Sequence, residues 1–180
     1  MKCRFLLLAL PALVLTACNA AAKRPDFSSY VKDDKAAVFV FLAPDCPLSQ
    51  NYTLTLNQFH SEFQRRGTRF YGVVPGNRFQ NNEVDAFAKK YSLAFPLLRD
   101  GDFTLADFLG AMTTPEAFVV SAAGETLYKG AIDNWASALG QHRQVITEHY
   151  LRDVLDGLLS GRVVPYRETR AVGCIIERES

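Results

Sequence analysis

Cys46 stands between an unbroken apolar run, residues 37–42 (AVFVFL), and a stretch in which Tyr52, Leu56, Phe59 and Phe63 recur at helical spacing. Pro47 follows it directly. A strand running into a helix would set this thiol at the helix N-terminus, beside N–H groups that have no intrahelical partner. Their partial positive charge favours thiolate over thiol. Pro47 suits the first helical turn because no N–H donor is needed there. Such a placement serves nucleophilic attack by sulfur; the plain alternative is an inert, buried cysteine. Asp45 works against the thiolate through like-charge repulsion.

The other cysteines narrow the chemistry. Lys2 and Arg4 begin a short basic start, and residues 5–15 are almost wholly apolar but too few to span a bilayer. This is the pattern of a secretory signal. It ends in Leu15-Thr16-Ala17-Cys18, which resembles the lipobox of bacterial lipoproteins. That resemblance implies cleavage before Cys18 and a diacylglycerol on its sulfur, hence membrane attachment through a lipid anchor. The alternative is a plain signal with a chance cysteine. The expected place is the bacterial cell envelope, facing the periplasm. Asn19, where aspartate commonly marks inner-membrane retention, points to the outer membrane. Cys3 would leave with the signal and lipid would consume Cys18. Cys46 and Cys174 then remain as the free thiols of the mature chain, in a compartment that permits disulfides. Two thiols there make a structural bridge, a redox pair or a metal site.

The elements that must position Cys46 follow from periodicity. Residues 1–17 read as signal, 18–35 as a polar, irregular tether, 36–160 as the domain and 161–180 as a C-terminal extension. Within the domain, residues 37–42 form a strand buried on both faces and 49–66 a helix that Gly67 stops. Residues 69–74 form a second strand. Asn82 caps a helix carrying Val84, Phe87, Ala88 and Tyr91. Residues 95–98 make a third strand and 104–109 a brief helix ending at Gly110. Residues 117–121 and 126–132 form a hairpin. A last helix over 141–159 presents Val145, Ile146, Tyr150, Val154 and Leu158, and stops at Gly161. Alternation followed by a hairpin implies an α/β fold with a mixed central sheet flanked by helices.

Two segments carry a specific resemblance. FVFLAPDCPLSQNY is similar to the active-site segment of the redoxin branch of the thioredoxin superfamily, and MTTPEAFVVSAAGETLYKGAID to that branch's later half. The resemblance spans roughly residues 36–159. It implies a thioredoxin-like fold, with Thr114-Pro115 as the cis-proline pair facing the Cys46 nucleophile. It also implies a backbone edge on which a disulfide-bearing substrate can pair. Its alternative at Thr114-Pro115 is an ordinary turn.

The departures from that family bear on mechanism. Thioredoxin-type enzymes carry Cys-x-x-Cys, but here Cys46-Pro47-Leu48-Ser49 ends in a hydroxyl that cannot resolve a mixed disulfide. Peroxiredoxins place Pro and Thr ahead of their cysteine as Pro-x-x-x-Thr-x-x-Cys; Phe39 and Ala43 occupy those places. The copper-chaperone branch uses Cys-x-x-x-Cys, and Gln50 interrupts it. The ending VVPYRETRAVGCII resembles a C-terminal extension of some exported redoxin-like domains. That resemblance implies a tail folding back to bring Cys174 near Cys46, with Gly173 allowing close approach. Cys174 would then resolve Cys46. The rivals are a static bridge closing a loop of more than one hundred residues, worth about 4–5 kcal/mol, and a two-thiolate metal site.

The remaining residues carry less. His60 falls at the edge of the first helix's apolar stripe, and His142 and His149 share a face of the last helix. None has metal-ligand spacing. Trp135 packs beside the site or in the core. Glu116 reads as a solvated charge, with substrate orientation as the alternative. No Gly-rich phosphate loop or cofactor motif is present, so no cofactor and no metal are expected. Twenty Lys and Arg against 19 Asp and Glu give no basic surface for nucleic acid. The expected activity is thiol–disulfide exchange with protein or small-molecule thiols and disulfides. Thiol peroxidase chemistry is one alternative, and a non-catalytic metal-handling or interaction module is another.

Overall fold

The computed structural model describes residues 24–178. The expected signal peptide, Cys3 and the lipidation site Cys18 lie outside the described residues. Among the described residues no helix is long and apolar enough to cross a membrane.

The central sheet has the order β3-β2-β1-β5-β6. Its strands are β1 (Ala36–Phe41), β2 (Thr68–Pro75), β3 (Leu97–Asp100), β5 (Glu116–Val120) and β6 (Thr126–Gly130). β1, β2 and β3 are parallel; β5 pairs antiparallel with both β1 and β6. All six residues of β1 are buried. Period-two alternation sends Ala36, Val38 and Val40 into one core cluster and Ala37, Phe39 and Phe41 into another. Helices α2 (Pro47–Phe63), α3 (Asn81–Lys90) and α5 (Tyr150–Leu159) contribute to the first cluster, while α1 (Phe27–Val31) and α4 (Thr104–Leu109) contribute to the second. The result is the expected α/β fold, a mixed sheet covered on both faces.

Four local expectations need correction. Part of the stretch read as tether is ordered: α1 buries Phe27 and Val31, and Asp26 caps it by accepting from the Ser28 N–H at 3.1 Å. Two apolar residues four apart in a polar stretch are a signal too short to read as a helix. The cap of α3 is Gln80 rather than Asn82; the Glu83 carboxylate accepts from the Gln80 N–H at 2.7 Å to close a capping box. The third strand starts two residues later than expected, at Leu97.

The last correction is the largest. α5 begins at Tyr150, and residues 143–149 are not helical. Asn134 explains this. Its amide donates to the Thr147 hydroxyl at 2.7 Å, its side-chain carbonyl accepts from the Thr147 N–H at 3.1 Å, and its own N–H donates to the Glu148 carbonyl at 3.1 Å. Those backbone groups are then unavailable to a helical ladder. Upstream, β7 (Ala136–Ala138) and β8 (Gln141–His142) form a small antiparallel pair. His142 therefore lies on a strand, stacked on Trp135 with centroids 5.0 Å apart, and shares no helix face with His149.

Candidate functional site

The turn that delivers Cys46 is held from several sides. Beyond β1, the Leu42 N–H donates to the Val73 carbonyl at 2.8 Å and keeps the chain on the sheet. The Cys46 N–H donates to the Ala43 carbonyl at 3.1 Å, and the Gln50 N–H closes the first turn of α2 on the Cys46 carbonyl at 3.0 Å. Cys46 is the N-cap, with Pro47 inside the helix start as expected. Ser49, where a second cysteine would stand in Cys-x-x-Cys, is fully buried, and its hydroxyl accepts from the Ala43 N–H at 3.2 Å. Gln50 donates from its side chain to the Pro44 carbonyl at 2.7 Å. The two side chains that break the family's double-cysteine patterns thus hold the turn instead.

Thr114 and Pro115 face this turn. Their peptide bond is cis, both residues are buried, and the Thr114 carbonyl oxygen lies 3.0 Å from the Cys46 sulfur. In the dithiol form that oxygen is placed to accept the Cys46 S–H. The short strand β4 (Thr113–Thr114) is fixed by Glu116, whose carboxylate accepts the Met112 and Thr113 N–H groups at 2.8 and 3.1 Å. The expectation that Glu116 is a solvated charge is therefore overturned: it is buried and occupied by the backbone that carries Thr114.

The C-terminal extension closes the site. Its first attachment is to β6. The Thr169 N–H donates to the Lys129 carbonyl at 3.0 Å, and the Thr169 hydroxyl accepts from the Ala131 N–H at 3.0 Å while lying 2.6 Å from the Tyr128 hydroxyl. Gly130, at φ 136°, allows this approach; a Cβ there would sit 2.1 Å from the Thr169 carbonyl oxygen. The second attachment is β9 (Cys174–Ile175), antiparallel to β4 with Thr114 opposite Cys174. A Cβ on Gly173 would lie 2.4 Å from the Thr114 carbonyl oxygen. Beyond β9, the Ile176 N–H donates to the Met112 carbonyl at 2.9 Å, and its side chain is buried in the second core cluster. Arg178 forms an ion pair with Asp107 at 2.8 Å.

Cys46 and Cys174, 128 residues apart in sequence, are joined by a disulfide with Cα atoms 6.2 Å apart. The structure thus brings together Cys46, Cys174, Thr114 and Pro115. The two sulfurs are not equivalent. Cys46 is 1% exposed, whereas Cys174 is half-buried and borders a cleft of about 180 Å³. Thr114, Ala43, Asp45, Arg78 and Phe103 also line that cleft. Asp45, expected to act on Cys46 by its charge, is ion-paired with Arg78 at 2.5 Å.

None of the three histidines lines this cleft. His60 packs edge-on against Phe70 and Phe95, and burial holds its imidazole below the ordinary pKa. Among the described residues, no group of three or more His, Cys, Asp and Glu side chains is arranged to hold a metal ion. Trp135 packs edge-on against Tyr52 of α2, with ring centroids 5.6 Å apart. The Tyr52 hydroxyl donates to Asp133 at 2.5 Å; burial and this acceptor push the Tyr52 pKa far above the ordinary phenol value. The loop after β6 is thereby tied to the helix that carries Cys46. Sequence reasoning missed Arg78, and the backbone-holding roles of the Ser49 and Thr169 hydroxyls. For Thr169 a signal existed, because Gly130 ends a strand and marks a close backbone approach.

Comparison with solved structures gives the same fold. An uncharacterized conserved protein from Geobacillus kaustophilus is 23% identical with a TM-score of 0.75, over 84% of this chain and 81% of that one. A hypothetical protein from Sinorhizobium meliloti is 24% identical with a TM-score of 0.71, over 85% and 88%. A candidate thiol:disulfide interchange protein DsbE from Chlorobium tepidum is 14% identical with a TM-score of 0.51, over 71% and 79%. No curated protein matches the chain. The sequence profile of the AhpC/TSA family matches residues 9–129, more than half of the 180 residues, and the chain belongs to that family.

Proposed function

We propose that the chain is a thiol–disulfide oxidoreductase of the bacterial cell envelope, held at a membrane through lipid on Cys18. Cys46 is its nucleophile and Cys174 its resolving thiol. In the dithiol form the Cys46 thiolate attacks one sulfur of a substrate disulfide, and the other sulfur leaves as thiolate. The Cys174 thiolate then attacks the Cys46 sulfur. The second substrate sulfur leaves, and the Cys46–Cys174 bond forms. Two electrons have passed from protein to substrate. Thr114 and Pro115 present the backbone edge on which the substrate lies. The observation that carries this reading is the bond itself, which joins the start of α2 to β9 directly across from Thr114–Pro115.

A redox titration with glutathione or dithiothreitol, read by thiol mass shift, tests it. The expected midpoint falls among redox-active dithiols, roughly −120 to −270 mV. A bond that resists reduction to below about −300 mV, in a protein where Cys174→Ser lowers only the melting temperature, is a structural bridge.

AhpC/TSA membership favours a second reading, thiol peroxidase. There Cys46 thiolate takes an oxygen from a peroxide, releases the alcohol or water, and the sulfenic acid condenses with Cys174. Ala43 stands where the peroxidase pattern has a hydroxyl, and its N–H is already engaged by Ser49. Disulfide substrates are therefore expected to oxidise the dithiol form faster than hydrogen peroxide does, as stopped-flow tryptophan fluorescence would measure.

A further inference from the structure

We infer that Glu116 is the positioning residue for both cysteines. Its carboxylate sets the strand that lays the Thr114 carbonyl against Cys46 and that pairs with Cys174, and so sets how readily the Cys46–Cys174 bond forms. This rests on the redox reading above and names a residue on which the potential depends.

Glu116 opens β5 and is paired with Phe41 of β1 in the central sheet. Its backbone therefore belongs to the core. Its side chain, 9% exposed, reaches back past Pro115 to β4. One carboxylate oxygen accepts the Met112 N–H at 2.8 Å and the Thr113 N–H at 3.1 Å. Among the described residues no Lys, Arg or His forms an ion pair with it. Burying a carboxylate is costly unless hydrogen bonds replace its hydration. Charge-assisted bonds to backbone N–H groups are the strong kind. Glu116 thus ties β4 to the sheet through bonds that nothing else supplies to that carboxylate.

From β4 the influence reaches each cysteine by its own path. Thr114, next after Thr113, puts its carbonyl oxygen 3.0 Å from the Cys46 sulfur. The path to Cys174 runs through one peptide group. The Thr113 N–H and the Met112 carbonyl belong to the same group. Glu116 takes the N–H, and the carbonyl accepts the Ile176 N–H at 2.9 Å. A carboxylate on the N–H polarises the group and makes its carbonyl a better acceptor, by roughly 10–30% per bond. Ile176 lies two residues beyond Cys174, which itself stands opposite Thr114. One side chain therefore holds the docking strand and strengthens the tail's bond to it. The disulfide needs Cys174 at that strand, so the oxidised form bears the whole loss when the strand loosens. The dithiol form escapes part of it by releasing the tail.

The test is the equilibrium in which the Cys46–Cys174 disulfide and two reduced glutathiones become the dithiol and one oxidised glutathione. It is measured in the mature protein, in Glu116→Ala and in Glu116→Gln. Glutamine keeps an acceptor oxygen without the charge; alanine keeps neither. Glu116→Ala should move the equilibrium toward the dithiol about tenfold, a potential about 30 mV higher, and Glu116→Gln about threefold, or about 14 mV. Val154→Ala, in the first core cluster, is the control for lost stability. It should lower the urea midpoint and leave the potential unchanged. An unchanged potential in Glu116→Ala, an equal shift in Glu116→Gln, or an equal shift in Val154→Ala overturns the inference and leaves the redox reading intact. If Glu116→Ala does not fold, Glu116→Gln decides. A threefold shift with faster alkylation of Cys46 in the reduced protein supports the inference, and no change in either overturns it. A parent bond that glutathione and dithiothreitol both leave intact overturns the redox reading itself.

Discussion

Cys46 is held by a six-residue strand, a turn bound at Ala43, Pro44 and Ser49, and a 17-residue helix. Cys174 is held by a two-residue strand and by attachments on either side of it, at Thr169 and at Ile176. The first cysteine belongs to the buried core of sheet and helix. The second belongs to a short terminal segment with fewer buried contacts, the kind of segment that opens below the global unfolding free energy. The contrast teaches that one bond can join a cysteine fixed in the core to one carried by a short terminal segment.

Four experiments bear on that contrast. Cys46→Ser should reduce disulfide-reducing turnover to background, whereas Cys174→Ser should leave the first attack intact and accumulate mixed disulfides on Cys46. Steady-state turnover and intact mass distinguish them. Equal loss without trapped adducts would erase the difference between the two cysteines. Ile176→Ala removes most of the apolar anchor beyond β9, at a cost of about 2 kcal/mol or more. Alkylation of Cys46 in the reduced protein should accelerate about 10- to 100-fold; an unchanged rate would mean that the tail does not gate it.

Gly173→Ala is aimed at the bond rather than the gate. A Cβ would meet the Thr114 carbonyl at 2.4 Å, so the segment must shift. Crowding of this kind costs about 1–3 kcal/mol. The oxidised form suffers most, because the bond holds Gly173 against β4 while the reduced tail can lift away. The reduction potential should rise, by at most about 60 mV, read by the same glutathione titration. No change would show that the close approach is not required for the bond.

The smallest effect concerns the fixed region. Burial holds the His60 pKa below its ordinary value, so the folded protein binds fewer protons there than the unfolded chain. Stability should therefore fall as pH drops through about 6.5 and below. His60→Phe, filling the space between Phe70 and Phe95, should flatten that part of the profile in urea unfolding at pH 7.5 and 5.5. Disulfide exchange by the oxidised protein should not follow this change, because His60 does not line the cleft.

The same contrast explains what the sequence made legible. β1, α2, α4 and the β5–β6 hairpin were readable because each has a clean period or a Gly or Pro boundary. Cys46 was readable because it sits where two periods meet. Three features were not. α1 is one turn whose buried residues, Phe27 and Val31, show no pattern within a polar stretch. The expected helix over 141–149 has suitable apolar spacing, but the Asn134 side chain captures the backbone at Thr147. A single side chain thirteen residues away leaves no trace in a local window. Glu116 reads as a charge beside a turn; only the tertiary path of Met112 and Thr113 gives it two N–H partners. The pairing of Cys174 with Cys46 was expected by resemblance alone, since a 128-residue separation carries no local signal.

On the proposed reading, Ile176 limits how often the reduced protein can act. Lifting its 6%-exposed side chain out of the core costs about 1.5–3 kcal/mol of burial. With the disulfide cut, that term alone keeps roughly one molecule in ten to one in 150 open at any moment. A substrate that binds only the open state has its apparent affinity weakened by the same factor. Selectivity then falls to partners whose own contacts with the Thr113–Thr114 edge outweigh those of the displaced tail, and weakly binding disulfides are left unreduced.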